Sequence, residues 1–198
     1  MDIPSTLTDI ANLALTSIGE DTITSIDAET ARARKVRVVL YQNIREVQRL
    51  IDWPELRVRK TLTQHASMLT DTIYKYLLPT NFLEVISTDD DINWFLQDSY
   101  FCTGSSTADI TYKKYSQEPS EWSADLVEMV YRKVAVSIAP LLTENPQWMQ
   151  TASAIYDRVE QRCITQTQNR KKNIKRYSFN SELVHKRLYN GRYPYYSR

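Results

Sequence analysis

Glycine is scarce in this 198-residue chain, occurring only at Gly19, Gly104 and Gly191. A dinucleotide fingerprint and a phosphate-cradling P-loop each need several glycines within one turn, so both are excluded. Cysteine and histidine are scarcer still. Cys102 and Cys163 lie far apart without CxxC spacing, and His65 and His185 are the only histidines, so no Cys/His metal cluster can be written. Each cysteine reads as a reduced, buried small hydrophobe, and neither a cofactor nor a metal is expected. No apolar run reaches the roughly 18 to 20 residues that span a bilayer. The opening MDIPSTLTDIANLAL lacks the basic region of a secretion signal, so cytosolic synthesis and no membrane partner are expected.

Hydrophobic residues form 42% of the chain and charged residues 25%, enough to build a packed core. The formal charge of +1 hides an asymmetry. Residues 170–198 hold nine bases and one acid, +8, whereas the other 169 residues hold 16 bases and 23 acids, −7. Such a split points to an interaction with nucleic acid, a membrane surface or an acidic protein.

Thr6-Leu-Thr-Asp9 has the form of a capping box, and Leu7, Ala11, Ala14 and Ile18 follow at helical spacing up to Gly19. Asp27 is the expected N-cap of a second helix with Val36, Leu40, Ile44, Val47 and Ile51 on its apolar face, ended by Trp53-Pro54. From 55 to 118 the texture turns to short aromatic and β-branched runs: TIYKYLLP, FLEVIST, NWFLQ, SYFCT and DITYKKY. These predict antiparallel strands separated by turns at Asp89-Asp90-Asp91 and 103–107. Asp89, Asp91 and Asn93 match the first ligand positions of an EF-hand, but Trp94 replaces its glycine and Tyr100 its closing Glu. A solvated turn is the better reading.

Helical spacing returns with Val127, Val130, Val134, Ile138 and Leu141, interrupted by Pro140, and again after Asn145-Pro146 with Trp148, Ala152, Ile155, Val159 and Cys163. Beyond Thr165 the apolar face disappears. The fold class expected is therefore α+β, mainly α: a four-helix core with a small antiparallel β insertion and an extended C-terminal arm. The boundaries are 1–54 for the first helical hairpin, 55–118 for the insertion, 119–169 for the second helical pair and 170–198 for the arm. One short helix, 181–189, is expected within the arm. Its bases and rings interleave as Arg176, Tyr177, Phe179, Lys186, Arg187, Tyr189, Arg192, Tyr193, Tyr195 and Tyr196. That much aromatic surface on a solvated terminus favours association.

One pattern has a counterpart in a known family. Asn12-Leu-Ala-Leu-Thr-Ser-Ile-Gly-Glu20, Ile23-Thr-Ser-Ile26, Ala31 and Ala33 leading to Tyr41, then Trp53-Pro54 and Tyr76-Leu-Leu-Pro-Thr-Asn-Phe-Leu-Glu-Val85 resemble the head-to-tail adaptors of short-tailed bacteriophages, the tail tubular protein A family. The resemblance covers residues 6–85. It implies a helical bundle with an inserted β region, assembled as a dodecameric ring in the virion at the head-tail interface. Such a ring docks on the portal protein, extends the DNA channel and carries the tail nozzle, a tail tubular protein B-like protein, and tail fibres. DNA would pass through without sequence-specific binding. The C-terminal extension would then be the portal contact.

Other readings compete with this one. Interleaved bases and rings also suit a single-strand-binding arm, although an acidic body repels phosphate. Peptidoglycan cleavage by a carboxylate pair such as Glu20 with Asp21, or Glu121 with Asp125, is the enzymatic alternative; caps and solvated helix faces account for these residues more simply. No Ser-His-Asp or Cys-His constellation is supported, and a non-enzymatic protein is expected. Trp53 and Trp122 read as hydrophobic locks at helix boundaries. The cluster Arg32, Arg34, Lys35 and Arg37 is either a solvated face or, through Arg34 and Arg37, a contact with acidic faces of helices three and four on a ring neighbour.

Overall fold

A computed structural model describes residues 4–66, 69, 72–88, 93–143 and 145–189, and only the backbone over 171–189. It contains four α-helices, α1 (Leu7–Ser17), α2 (Ala31–Leu50), α3 (Ala124–Leu142) and α4 (Pro146–Tyr189). Six strands lie between α2 and α3: β1 (Arg57–Thr61), β2 (Tyr74–Leu77), β3 (Phe82–Thr88), β4 (Trp94–Gln97), β5 (Tyr100–Thr103) and β6 (Asp109–Lys114). The architecture is α+β and mainly α, as expected. By contacts the chain divides into two units, Met1–Val159 and Glu160–Arg198.

The first unit is organised around α3, which packs against both α1 and α2. The helices start where local chemistry satisfies their free amides. Thr6 and Asp9 form the expected reciprocal capping box, Ser123 accepts from Leu126 N, and Asn145 Oδ1 accepts from Gln147 N at 2.9 Å. The cap of α2 is Thr30, not Asp27: its hydroxyl accepts from Ala33 N, three residues ahead and in register with the buried face. Asp27 instead lies 3.8 Å from Arg37.

Val36, Leu40, Ile44, Val47 and Ile51 are all buried, as are Val127, Val130, Val134 and Ile138. Leu7 and Ile155 are only half-buried, and two further expected core members are exposed. Leu141 is 48% exposed, because it follows Pro140 in the last turn of α3, and Trp148 is 41% exposed at the start of α4. The edge of the Trp148 ring lies against Gly19, where an added Cβ would sit 3.3 Å from its carbons. Gly19 itself has φ 75°, the left-handed conformation that closes a helix.

Strands β2 to β6 fall on the five predicted runs and β1 opens the predicted insertion; all six are antiparallel, but they form two sheets, ordered β1-β6-β3 and β2-β5-β4. Ile110 and Tyr112 of β6 meet Tyr76 and Phe101 of the second sheet in a small core with Leu62 and Ala108. Lys113, next to Tyr112 in sequence, projects from the opposite face of β6. Its ammonium donates to the Arg49 carbonyl at the end of α2 and to Glu84 at 3.1 Å. Gln48 of α2 donates to Ser116 O at 2.7 Å and accepts from Ser116 N at 3.1 Å, with both residues buried. The insertion is thus pinned to the helices by buried polar contacts.

In the second unit the backbone is helical as far as Tyr189. The expected extended segment after about residue 170 is corrected by this. No glycine or proline occurs between Pro146 and Gly191, and Lys, Arg and Gln are good helix formers, so losing the apolar face does not end the helix. Residues 190–198 lie outside the described residues.

Candidate functional site

The residues behind the family resemblance have identifiable jobs in the first helical hairpin. Asn12 of α1 donates to Ile23 O at 3.0 Å and accepts from Ile23 N at 2.8 Å, clasping the link between α1 and α2. The Thr8 hydroxyl oxygen accepts from Ile26 N, and Gly19 makes the turn. Trp53 is buried and donates from Nε1 to Val47 O at 3.1 Å, fixing the exit from α2. Trp122 is equally buried, but its Nε1 has no partner. Both tryptophans are buried, as a lock at a helix boundary requires.

The basic cluster on α2 divides by role. Arg32 pairs with Glu20 at 3.0 Å and donates to Asp21 O, and Lys35 Nζ lies 3.5 Å from Leu141 O at the end of α3. Arg37 faces Asp27. Arg34 is exposed, one turn from Val38, which is 67% exposed. Of the two arginines expected at a ring neighbour, Arg37 is engaged within its own chain. The acidic residues Asp125 and Glu128 on α3 are not without partners either.

Of the arm residues, Arg176, Tyr177, Phe179, Lys186, Arg187 and Tyr189 lie on the helical backbone of α4, with their side chains outside the description. Arg192, Tyr193, Tyr195 and Tyr196 lie beyond the described residues altogether, as do Asp89, Asp90 and Asp91.

The carboxylate candidates are tied into the scaffold. Glu121 accepts from Lys114 Nζ at 2.7 Å and Ser116 Oγ at 2.9 Å, and these bonds hold its carboxyl below the usual glutamate range. A general acid needs a shift in the other direction. Glu20 is half of the ion pair with Arg32. Among the described residues no three His, Cys, Asp or Glu side chains group as a metal site, and no helix is long and apolar enough to cross a membrane.

Three surface features escaped the sequence reading. An open groove of about 1,020 Å³ runs along α2 and the end of β6, lined by Tyr41, Arg45, Arg49, Leu50 and Tyr115. Arg45 sits 5.7 Å over the Tyr115 ring there. A second groove of about 830 Å³ lies between α1 and α3, with Leu13, Thr16, Val127 and Tyr131 in its walls. The third is β4: Trp94, Phe95 and Leu96 are each more than 40% exposed on the edge strand of the second sheet. Strand texture predicts the element, but only the pairing order reveals that it has an open side.

No family model matches this chain, and no curated protein matches it.

Proposed function

We propose that this chain is the structural subunit of a head-to-tail adaptor ring in a short-tailed bacteriophage, without enzymatic activity. In this reading a dodecamer sits in the virion between portal and tail nozzle. It docks on the portal through the basic aromatic C-terminal residues and lengthens the DNA channel. Its distal side offers a platform to the nozzle and fibre proteins.

The observation that carries the reading is the coincidence of the resemblance pattern with the α1–α2 clasp. Asn12, Ile23 and Gly19 make the bonds and the turn of that clasp, and Trp53 fixes the exit from α2, so residues of the pattern are among those that build the hairpin. Support also comes from the charge split. A +8 terminal region on a −7 body suits an acidic protein partner met many times around a ring, where repetition multiplies weak contacts. Tyr and Arg, abundant in the last residues, are the side chains that most often anchor interfaces.

Co-sedimentation with the cognate portal tests this. The full chain is expected to bind, and a truncation after Asn169 to lose binding. A full-length variant with Tyr193, Tyr195 and Tyr196 changed to Ser, which leaves the described fold intact, should weaken binding by at least tenfold. A full chain that never binds the portal refutes the adaptor reading; a truncation that binds undiminished refutes the arm alone.

A further inference from the structure

The groove along α2 carries a charge that the chain itself does not neutralise. Tyr41, Arg45 and Arg49 follow one another at four-residue intervals and so form one stripe of the helix, with Tyr115, directly after β6, in the same lining. Leu50, next to Arg49 in sequence and half-exposed, adds apolar surface. Glu46 also lines the groove, but Lys133 of α3 pairs with it at 2.8 Å. Among the described residues no carboxylate pairs with Arg45 or Arg49. At the start of the same helix, by contrast, Arg32 and Arg37 face Glu20 and Asp27.

The lining is held in place before anything binds. Gln48 and Ser116, the sequence neighbours of Arg49 and Tyr115, bond each other twice, and Lys113 Nζ donates to Arg49 O at 3.0 Å. Arg45 lies over the Tyr115 ring at 5.7 Å, and Gln117 Nε2 donates to the Tyr115 hydroxyl at 3.0 Å. A ring beneath a guanidinium fixes its position without consuming the N–H donors on its edge. Groups ordered in advance lose less entropy when the site is occupied.

Charge, shape and spacing then define the ligand. Guanidinium forks bind carboxylates and phosphates. A nucleic-acid strand calls for a continuous basic track, whereas here two arginines stand beside Glu46 on a body whose charge outside 170–198 is −7. Small molecules are held in sites that enclose most of their surface, and this groove is open along its length. One helical turn sets the two arginine Cα atoms about 6 Å apart along the axis. That is close to the roughly 6.6 Å between residues two apart on one face of an extended strand.

We infer that this groove binds an extended acidic segment of a partner protein, with carboxylates two residues apart on Arg45 and Arg49 and the next side chain of that face, an apolar one, against Leu50. The site is separate from the C-terminal arm and does not depend on the adaptor reading.

An NMR titration of the isotope-labelled full chain tests it. The probe is a short capped peptide in which Glu, Glu and Leu alternate with Ser. The Arg45 and Arg49 Nε–H signals and the Tyr115 amide report on the groove alone, apart from the basic residues after 170. They should move together and saturate with a Kd of about 0.1–1 mM, as two charge-assisted pairs less the cost of ordering a short peptide imply. Arg45→Gln with Arg49→Gln keeps helix propensity and, both side chains being exposed, should keep the unfolding midpoint. Read at the Tyr115 amide, it should bind about tenfold more weakly or worse. Arg34→Gln, on the same helix outside the groove, should bind as wild type.

Four results each overturn the proposal: no shift at these groups up to about 5 mM peptide, undiminished binding by the double variant, equal binding of a peptide with Gln in place of Glu, or tighter saturation by single-stranded oligo(dT). The last of these would reassign the groove to nucleic acid.

Discussion

Replacing Gln48 with Met should loosen the whole β insertion from the helices. The side chain is fully buried, accepting from Ser116 N at 3.1 Å and donating to Ser116 O at 2.7 Å. Met fills nearly the same volume but offers neither bond, leaving a buried amide and a buried carbonyl unpaired. Each orphaned group costs about 1–3 kcal/mol, and the easier burial of Met than Gln returns part of that, so a net loss of about 2–4 kcal/mol is expected. For a domain of this size each kcal/mol lowers Tm by about 2–4 °C, giving a fall of about 5–15 °C. Urea denaturation and calorimetry measure both quantities. Hydrogen exchange supplies the local readout, since the Ser116 amide should lose protection while the amides of α3 keep theirs. Gln42→Met on the exposed side of the same helix is the control and should stay within about 0.5 kcal/mol. A Gln48→Met loss no larger than that control would refute the idea that this bidentate contact pins the insertion.

Glu121 gives a pH signature. Its folded pKa is lowered by Lys114 and Ser116, so its contribution is present above the unfolded value of about 4.5 and disappears as pH falls through the lower folded value. Glu121→Gln should therefore destabilise at pH 7 and match wild type at the acid end of a stability profile. The carboxylate is 45% exposed, so the effect at neutral pH should stay below about 1 kcal/mol; a pH-independent difference would count against the cause. At Gly19, Ala should cost about 1–2 kcal/mol because φ is 75° and the new Cβ would press on Trp148, whereas Asn, which tolerates that conformation, should cost less. Thermal melts showing Ala equal to Gly would refute it. For the arm, binding to duplex DNA should be weak and only mildly salt-dependent. A slope of log affinity against log salt steeper than about −5 would mean that most of its nine bases meet phosphates, and would reassign it to nucleic acid.

Helix and strand placement was legible in this sequence because each element declares its own period. Val36 to Ile51 repeats at helical spacing, and five of the six strands coincide with five runs of aromatic and β-branched residues. What local pattern does not encode is choice between near-equivalent partners. Asp27 and Thr30 are both good caps, and only the register of Ala33 against the core selects Thr30. Leu141 and Trp148 continue their stripes correctly, yet the helices end or begin there, so their neighbours cover them only in part. The polar run after Thr165 suggested an end to the helix, but polarity removes a packing face without adding a breaker. Strand pairing was the least legible of all. The split into two sheets, and with it the open side of β4, depends on contacts between residues distant in sequence.

The way the insertion is attached fixes its orientation. An apolar interface between the sheet and the helices would have tolerated sliding, since hydrophobic contact is non-directional. Here the join includes the Lys113 ammonium held between Arg49 O and Glu84, and the Gln48 amide held on the backbone of Ser116. Such contacts are strong only at one distance and angle, so they set the orientation of the inner sheet against α2. The inner sheet in turn carries the outer one through the Ile110–Tyr112–Phe101 core. β4 is the last strand in that relay, and its exposed rings therefore point in a direction determined by the helices.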